Sequence, residues 1–543
     1  MNNNSSNSQT NQIPVVDIFA GPGGLSEGFS SYQIGDSERR FKIVLSIEKE
    51  NSAHQTLTLR SFLRQFPLYQ FPPEYYDFLK GEISLNDLYH TYPDHAEYAF
   101  HEAWKATLGV VPNNEVDLRI RAALNGRNKW VLIGGPPCQA YSIVGRSRRK
   151  QQILDSKNDE RVYLYRQYYR ILAVHNPPVF VMENVKGMLS SKIGVNSFIF
   201  EEIISDLENP VRAYEKLNGE VRDDLSCPGY NIFSLTVKTS TISMFGKPDF
   251  NVSDFIIKSE DYGIPQARHR VILLGIRKDL DDIMPDVISP QDKVSLDKVI
   301  RGLPPLRSGL SEGNDNCSSW IKAVKSFLNI NVISKIDDAV AQEIRKVLTD
   351  LHSFEYDRGK NFIHESADID YEKEWFLDEK MGGVCNHETR SHIVKDLYRY
   401  LFAAAFSKIH NASPILKDYP EELLPNHRNV RKEKNLNSFA DRFRVQLYDQ
   451  PAKTITSHIS KDGHYYIHPD PSQCRSLTVR EAARIQTFPD NYYFCGSRTA
   501  QFVQVGNAVP PLLARNIAKI VFNVFEKILN IAITDNEKEA ITL

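Results

Sequence analysis

The chain is 543 residues long, with 41% hydrophobic and 25% charged residues and a formal net charge of −2. That length exceeds what one core usually fills, so two domains are expected, and the composition excludes a fibrous or wholly disordered chain. Balanced charge excludes an overall basic protein, so any nucleic-acid surface has to be local.

Residues 1–12 are a polar Asn/Ser tail with neither a basic nor an apolar leader segment, which predicts disorder and no secretory signal. VVDIFAGPGG (15–24) reads as an apolar strand entering a glycine turn, with a helix pattern over Leu25 to Phe29. FKIVLSIEKE (41–50) is a second strand ending at Glu48. The segment 49–128, with its aromatic LYQFPPEYYDFL, is an elaboration whose purpose the pattern does not disclose. Further strands are KWVLIGG (129–135), PPVFVMEN (177–184) and HRVILLGI (269–276), and RVYLYRQYYRILAVH (161–175) is helical. Strands alternating with helices predict an α/β fold: a mostly parallel sheet covered on both faces, with ligands at the carboxyl ends of its strands.

Residues 291–475 lose that rhythm and read as a second domain or large insertion, with a helix over 337–352. Helical patterns return at LTVREAARIQTF (477–488) and VPPLLARNIAKIVFNVFEKIL (509–529), which should pack back on the first domain. The longest apolar run, Val271 to Ile276, suits a buried strand and is too short to span a membrane. Six cysteines without a C-x-x-C pair argue against structural zinc and a disulfide framework, so no metal is expected and a reducing, cytoplasmic setting fits best.

Four places carry chemistry. Gly21, Gly23 and Gly24 let bare backbone approach a ligand, and Glu48 at the next strand end suits ribose hydroxyls; either feature alone is common in structural turns. In GGPPCQAYS (134–142), Cys138 follows two stiffening prolines in a polar loop, which makes it a candidate nucleophile. Arg146, Arg148, Arg149 and Lys150 nearby would favour its thiolate. Glu183 ends a buried strand, where a carboxylate is costly unless paired or functional, and desolvation would let it hold a proton. Gln266, Arg268 and Arg270 alternate before an apolar run, so at strand period they share a face, with Glu183 as their expected partner.

The ordered set DIFAGPGGLSEGF, GGPPCQAYS, MENV, PQARHR, REAARIQTFPD and GNAVPP resembles the C5-cytosine-specific DNA methyltransferase family. The resemblance spans about residues 14–525, apart from the variable stretch before REAARIQTFPD. It implies a Rossmann-like S-adenosylmethionine-dependent methyltransferase domain (13–290 and 476–530) with a smaller target-recognition domain (291–475), flanked by tails at 1–12 and 531–543. Carried over by position, Cys138 is the nucleophile, Glu183 engages cytosine N3, and Arg268 and Arg270 support the base and the catalytic loop. Phe19, Gly21, Gly23, Gly24, Leu25, Glu48, Pro137, Leu164, Asn507 and Val509 would line the S-adenosylmethionine pocket. Tyr141 replaces the family's usual phenylalanine, and Asp117 is the only guess for the acid that often contacts the adenine ring.

The implied reaction is methyl transfer to carbon 5 of a cytosine flipped out of double-stranded DNA, through a covalent Cys138 adduct. His427 to Lys461 holds eight basic residues against three acidic ones, and Arg428, Arg431, Arg442, Arg444 and Lys453 are its candidate DNA contacts. The implied enzyme is a nucleoid-associated monomer that serves restriction–modification, with any cognate endonuclease acting separately. A tRNA cytosine-5 methyltransferase and an inactive DNA-binding regulator are the alternatives, the first disfavoured by the long 291–475 region and the second by the intact Cys138 and Glu183.

Overall fold

The computed structural model describes residues 12–35, 38–68, 70–137, 164–190, 192–193, 197–219, 221–238, 250–280, 283–351, 356–425 and 441–542. Cys138, Arg146, Arg148, Arg149, Lys150, Arg428 and Arg431 lie outside the described residues.

The central sheet has eight strands, numbered here in chain order: β1 (Ile13–Ile18), β2 (Phe41–Glu48), β3 (Ala103–Lys105), β4 (Val131–Gly134), β5 (Val179–Val185), β6 (Tyr230–Phe233), β7 (Ile256–Lys258) and β8 (His269–Arg277). Across the sheet they run β3-β2-β1-β4-β5-β8-β6, with β7 paired to the start of β8. The first five are parallel. β8 lies antiparallel to β5, β6 and β7. The sheet is therefore mostly parallel, as the sequence predicts, and the short strands β3, β6 and β7 are additions to that reading.

Both faces are dry, which explains the near-continuous apolar strands. Val15, Val131, Ile133, Val179, Val181, Ile272 and Leu274 enter one core. Their neighbours Val16, Leu132, Phe180, Met182, Val271 and Leu273 enter the other. The alternation is the period of the pleat.

The 49–128 elaboration is helical: Asn51–Arg64, Pro73–Lys80, Leu85–Thr91 and Pro93–Glu102 precede β3, and Asn113–Leu124 follows it. Its aromatic residues Phe62, Phe71, Tyr75, Tyr76 and Tyr89 pack with Phe362, Met381, Cys385 and Cys495, so the segment braces a distant part of the chain. Within 291–475, Trp320, Ile344, Leu397, Tyr400, Leu401, Phe443 and Ile467 form a core of their own. That core is built by the helices Cys317–Lys325, Asp338–Asp350 and Val394–His410. From the same region, Leu296, Val299, Ile300, Trp375, Ala452 and Ile455 join the core of the sheet.

The helix Pro511–Thr542 lies against the helix Gly24–Ser30, where Gly28 faces Ala514. Taken together, residues 498–529 are long and apolar enough to cross a membrane by length and composition, a feature that a search for unbroken apolar runs overlooks. In the folded protein 78% of that apolar window is buried against the rest of the chain.

Candidate active site

Strand register assembles the site. Ile47, Ile18, Gly134 and Met182 are successive partners across β2, β1, β4 and β5. One residue further on, Glu48 and Glu183 continue their strands while Phe19 and Gly135 follow the ends of β1 and β4, so all four lie at the carboxyl edge. Sheet order reverses direction between β1 and β4, and that switch point is where open α/β sheets bind ligands. Four residues singled out from separate motifs thus meet on one edge.

The glycine turn is held from two sides. Gly21 N–H donates to Glu48 Oε2 at 2.8 Å, while Glu48 Oε1 accepts from the backbone N–H of Lys49 and Glu50, each at 2.8 Å. Those three bonds fix the carboxylate and leave acceptor capacity for a further donor. Gly23 sits at φ 91°, a left-handed conformation that other residues adopt at a cost. Gly24 is pressed on the GNAVPP segment: a Cβ there would stand 2.2 Å from the Val509 carbonyl oxygen. Leu25 and Val509 are buried beside it, Phe19, Pro137 and Leu164 are half-buried, and Asn507 is exposed at the end of its helix. Space in front of Gly21 is open, with no atom within 4 Å of where a Cβ would project. Open space at a bare turn beside a fixed acid fits a nucleoside cofactor with ribose hydroxyls.

Asp17, near the end of β1, opens the motif DIFAGPGGLSEGF, but the sequence reading gives it no role of its own. It is fully buried, accepts from Ser26 Oγ at 2.5 Å and leaves Oδ1 without a partner. Burial pushes its carboxyl up to about 7, with the Ser26 bond opposing. The only available signal is an acid inside an apolar strand.

The expected pairing with Glu183 holds for Arg270 and fails for Arg268. Arg270 Nε lies 2.9 Å from Glu183 Oε1, an ion pair whose side chains are 15% and 13% exposed. Glu183 Oε2 stands against Gly135, 2.9 Å from where a Cβ would project. Arg268 does not pair with Glu183. It is 1% exposed and donates to the carbonyls of Ile455 (2.7 Å) and Gly506 (3.2 Å), joining two distant segments beneath the site. Burial, reinforced by Arg270 and opposed by Glu183, pushes its guanidinium well below the usual arginine range. Gln266 Nε2 donates to Gln486 Oε1 (2.9 Å), and its Oε1 accepts from Ile455 N–H (2.7 Å). Gln266 and Arg268 therefore share Ile455 as a partner, and Arg270 alone of the three meets Glu183.

Asp117 is not available to an adenine ring. Its Oδ1 lies 3.0 Å from Arg170 Nη1 and 2.7 Å from His175 Nε2, and Oδ2 also accepts from Arg170. Burial would raise its pKa, but His175 and Arg170 together hold it below the ordinary value. REAARIQTFPD proves to be a buried brace. Arg480 binds the carbonyls of Cys385, Pro489 and Tyr492, while Arg484 grips both carboxylate oxygens of Asp490. Of the basic residues between 427 and 461, Arg444 is paired with Asp441, Arg442 is half-buried and Lys453 is exposed.

A parallel 3-2-1-4-5 sheet extended by an antiparallel strand, with a glycine turn and fixed acid at its switch point, defines a Rossmann-like S-adenosylmethionine-dependent methyltransferase. Residues 94–210 and 234–523 match the C-5 cytosine-specific DNA methylase family. The chain belongs to that family and is a DNA (cytosine-5-)-methyltransferase. It is 32% identical over 532 residues to the type II methyltransferase M.Bpa9945I of Bacillus paralicheniformis, covering 94% of this chain and 98% of that one. It is 26% identical over 429 residues to the DNA (cytosine-5-)-methyltransferase M.ApeKI of Aeropyrum pernix, covering 75% and 83%. Among solved structures, the Entamoeba histolytica methyltransferase EhMeth aligns with 94% of this chain and 98% of its own, at 12% identity and a TM-score of 0.41.

Proposed function

We propose that this enzyme methylates carbon 5 of a cytosine within a specific duplex DNA sequence, after the base is flipped from the helix, as the modification half of a restriction–modification pair. The observation that carries this reading is the placement of Glu48, Phe19, Gly135 and Glu183 at the carboxyl edge of the sheet, with Arg270 closing on Glu183 at 2.9 Å.

In this reading S-adenosylmethionine supplies a methyl group on a sulfonium centre, which makes that carbon electrophilic. Glu48 would take its ribose hydroxyls, while Phe19, Gly21, Gly23, Gly24, Leu25, Pro137, Leu164, Asn507 and Val509 would line the rest of its pocket. Carbon 5 of neutral cytosine is a poor nucleophile. Addition of the Cys138 sulfur to carbon 6 moves electron density to carbon 5, and Glu183 holds the ring at N3 as charge develops there. Once carbon 5 carries the methyl group, its donor left as a neutral thioether, loss of the carbon-5 proton to a base such as water would let the Cys138 sulfur leave and restore the aromatic ring. Arg270 aims the Glu183 carboxylate, and Arg268 keeps the segments beneath it together.

Residues 291–475 would read the sequence, using the separate core around Trp320 and Tyr400 as scaffold, with Arg428, Arg431, Arg442, Arg444 and Lys453 among the DNA contacts. The protein would act as a monomer in the cytoplasm, associated with the nucleoid through DNA, with any endonuclease as a separate chain. Bisulfite sequencing of DNA from cells expressing the chain tests all of this at once. A single methylated sequence context is expected. Methyl incorporation into tRNA and none into duplex DNA would overturn it.

A further inference from the structure

A cleft of about 440 Å³ opens between the strand Ser391–His392, the loop 460–464 and the first turn of the helix Arg498–Asn507. Arg390, Lys461 and Arg498 bring three cations to it, and the carboxylates on its wall are Asp396 and Asp462. Asp396 is already neutralised by Arg399 at 2.6 Å, and Asp462 Oδ1 accepts from His464 N–H at 3.0 Å. Arg498 is itself paired with Glu388 at 3.3 Å, so Arg390 and Lys461 set against Asp462 leave one positive charge.

A second observation points to a ligand. His392 is 6% exposed, lines the cleft, and its buried Nε2 has no partner. An orphaned ring nitrogen in such a place normally meets a bound molecule or an ordered water. Its other nitrogen lies 3.5 Å from Tyr400 Oη, which is 2.7 Å from His464 Nδ1. When His464 Nδ1–H donates to Tyr400 and Tyr400 donates to His392 Nδ1, the proton of His392 is on Nε2, the buried ring atom without a partner. Burial keeps this imidazole neutral, pushing it down to about 3. Arg390 fixes the rim by donating to the carbonyls of Ser460 (3.1 Å) and Lys461 (2.5 Å).

We propose that this cleft is a phosphodiester-binding site that seats one backbone phosphate of the substrate duplex, with His392 Nε2 as a buried donor and Lys461 as the counter-charge. The proposal rests on the duplex-DNA reading above. Its position supports that occupant. The helix that begins at Arg498 ends at Gly506–Asn507, and the Gly506 carbonyl is bound by Arg268, two residues from the Arg270–Glu183 pair. Eight residues of helix span about 12 Å, the length of three or four base-pair steps. A phosphate held there anchors DNA register without reading its sequence.

The test compares the wild type with Lys461→Gln and His392→Phe, which keeps a ring in place. Binding of a short DNA duplex is measured against salt, inorganic phosphate is titrated by calorimetry, and S-adenosylmethionine binding reports folding. Lys461→Gln is expected to weaken duplex binding several-fold and to reduce the salt slope by about 0.9, the value of one phosphate contact. His392→Phe is expected to weaken binding and leave the slope unchanged, because it removes a neutral donor. Wild-type affinity and slope in both variants would overturn the proposal. Weakened binding of inorganic phosphate with unchanged duplex binding would also overturn it, in favour of a free phosphate ligand. If the wild type bound no duplex while both variants lost inorganic phosphate, the duplex-DNA reading would fail and the cleft would stand as a phosphate site only.

Discussion

Arg270 Nε stands 2.9 Å from Glu183 Oε1 although the two residues are not opposite each other: Arg270 is in register with Val185, and Glu183 with Ile272. A diagonal neighbour two residues away is within reach of a long side chain. This lets β8 aim a charge at the β5 carboxylate without occupying the space in front of it. Arg270→Ala is expected to lower kcat by about 10²–10³-fold, the usual effect of losing one fixed electrostatic partner. S-adenosylmethionine affinity should hold. Single-turnover methyl transfer measures this, and an unchanged rate would remove Arg270 from the site.

Cys138→Ala should abolish methyl transfer, because the reaction then lacks the thiolate that adds to carbon 6. Cofactor binding, read by calorimetry, should survive, since the glycine turn and Glu48 are untouched. Appreciable turnover by this variant would contradict the nucleophile assignment.

Gly24→Ala tests the contact between the chain's first and last segments. The added methyl would stand 2.2 Å from the Val509 carbonyl, and backbone yields less readily than a side chain. A loss of about 1–3 kcal/mol in urea unfolding is expected, the common cost of overpacking. Wild-type stability would mean that GNAVPP sits farther from the turn.

Asp17 makes stability depend on pH. Its folded carboxyl is raised from 3.8 to about 7, so the folded state binds this proton more tightly than the unfolded chain. That contribution is fully present below the unfolded value and is lost as pH rises through about 7. At roughly 1.4 kcal/mol per tenfold change in proton affinity, the loss is on the order of 4 kcal/mol. Asp17→Asn is expected to flatten the decline and to be more stable than wild type under alkaline conditions. Parallel unfolding curves for the two proteins across this range would count against a buried, proton-holding Asp17.

Arg442 and Arg444 differ in what they can offer DNA. Asp441 already pairs with Arg444, whereas among the described residues no carboxylate forms an ion pair with Arg442. Arg442→Gln is expected to reduce the salt slope of duplex binding by about 0.9, and Arg444→Gln by less. Equal slopes in wild type and Arg442→Gln would take Arg442 off that surface.

Much of this architecture is legible in sequence because apolar strands advertise themselves. β1, β2, β4, β5 and β8 fall within a few residues of their predicted spans, since burial on both faces leaves little room for polar residues. β3 escapes such a reading because three residues, Ala103–Lys105, carry no period. The roles inside PQARHR are harder to separate. Alternation says which way Arg268 and Arg270 point, but Arg268 finds its partners 187 and 238 residues further along, at Ile455 and Gly506, and nothing local encodes them. For the same reason Asp117 looks free in sequence, although Arg170 and His175 surround it in the fold.

The meeting of Gly24 with Val509, and of Gly28 with Ala514, sets a timetable for the molecule. The turn that opens the chain's first helix acquires its floor only after almost five hundred further residues have been made. A nascent chain that stops short of Val509 therefore leaves this glycine turn unclosed, so the turn is finished late in synthesis.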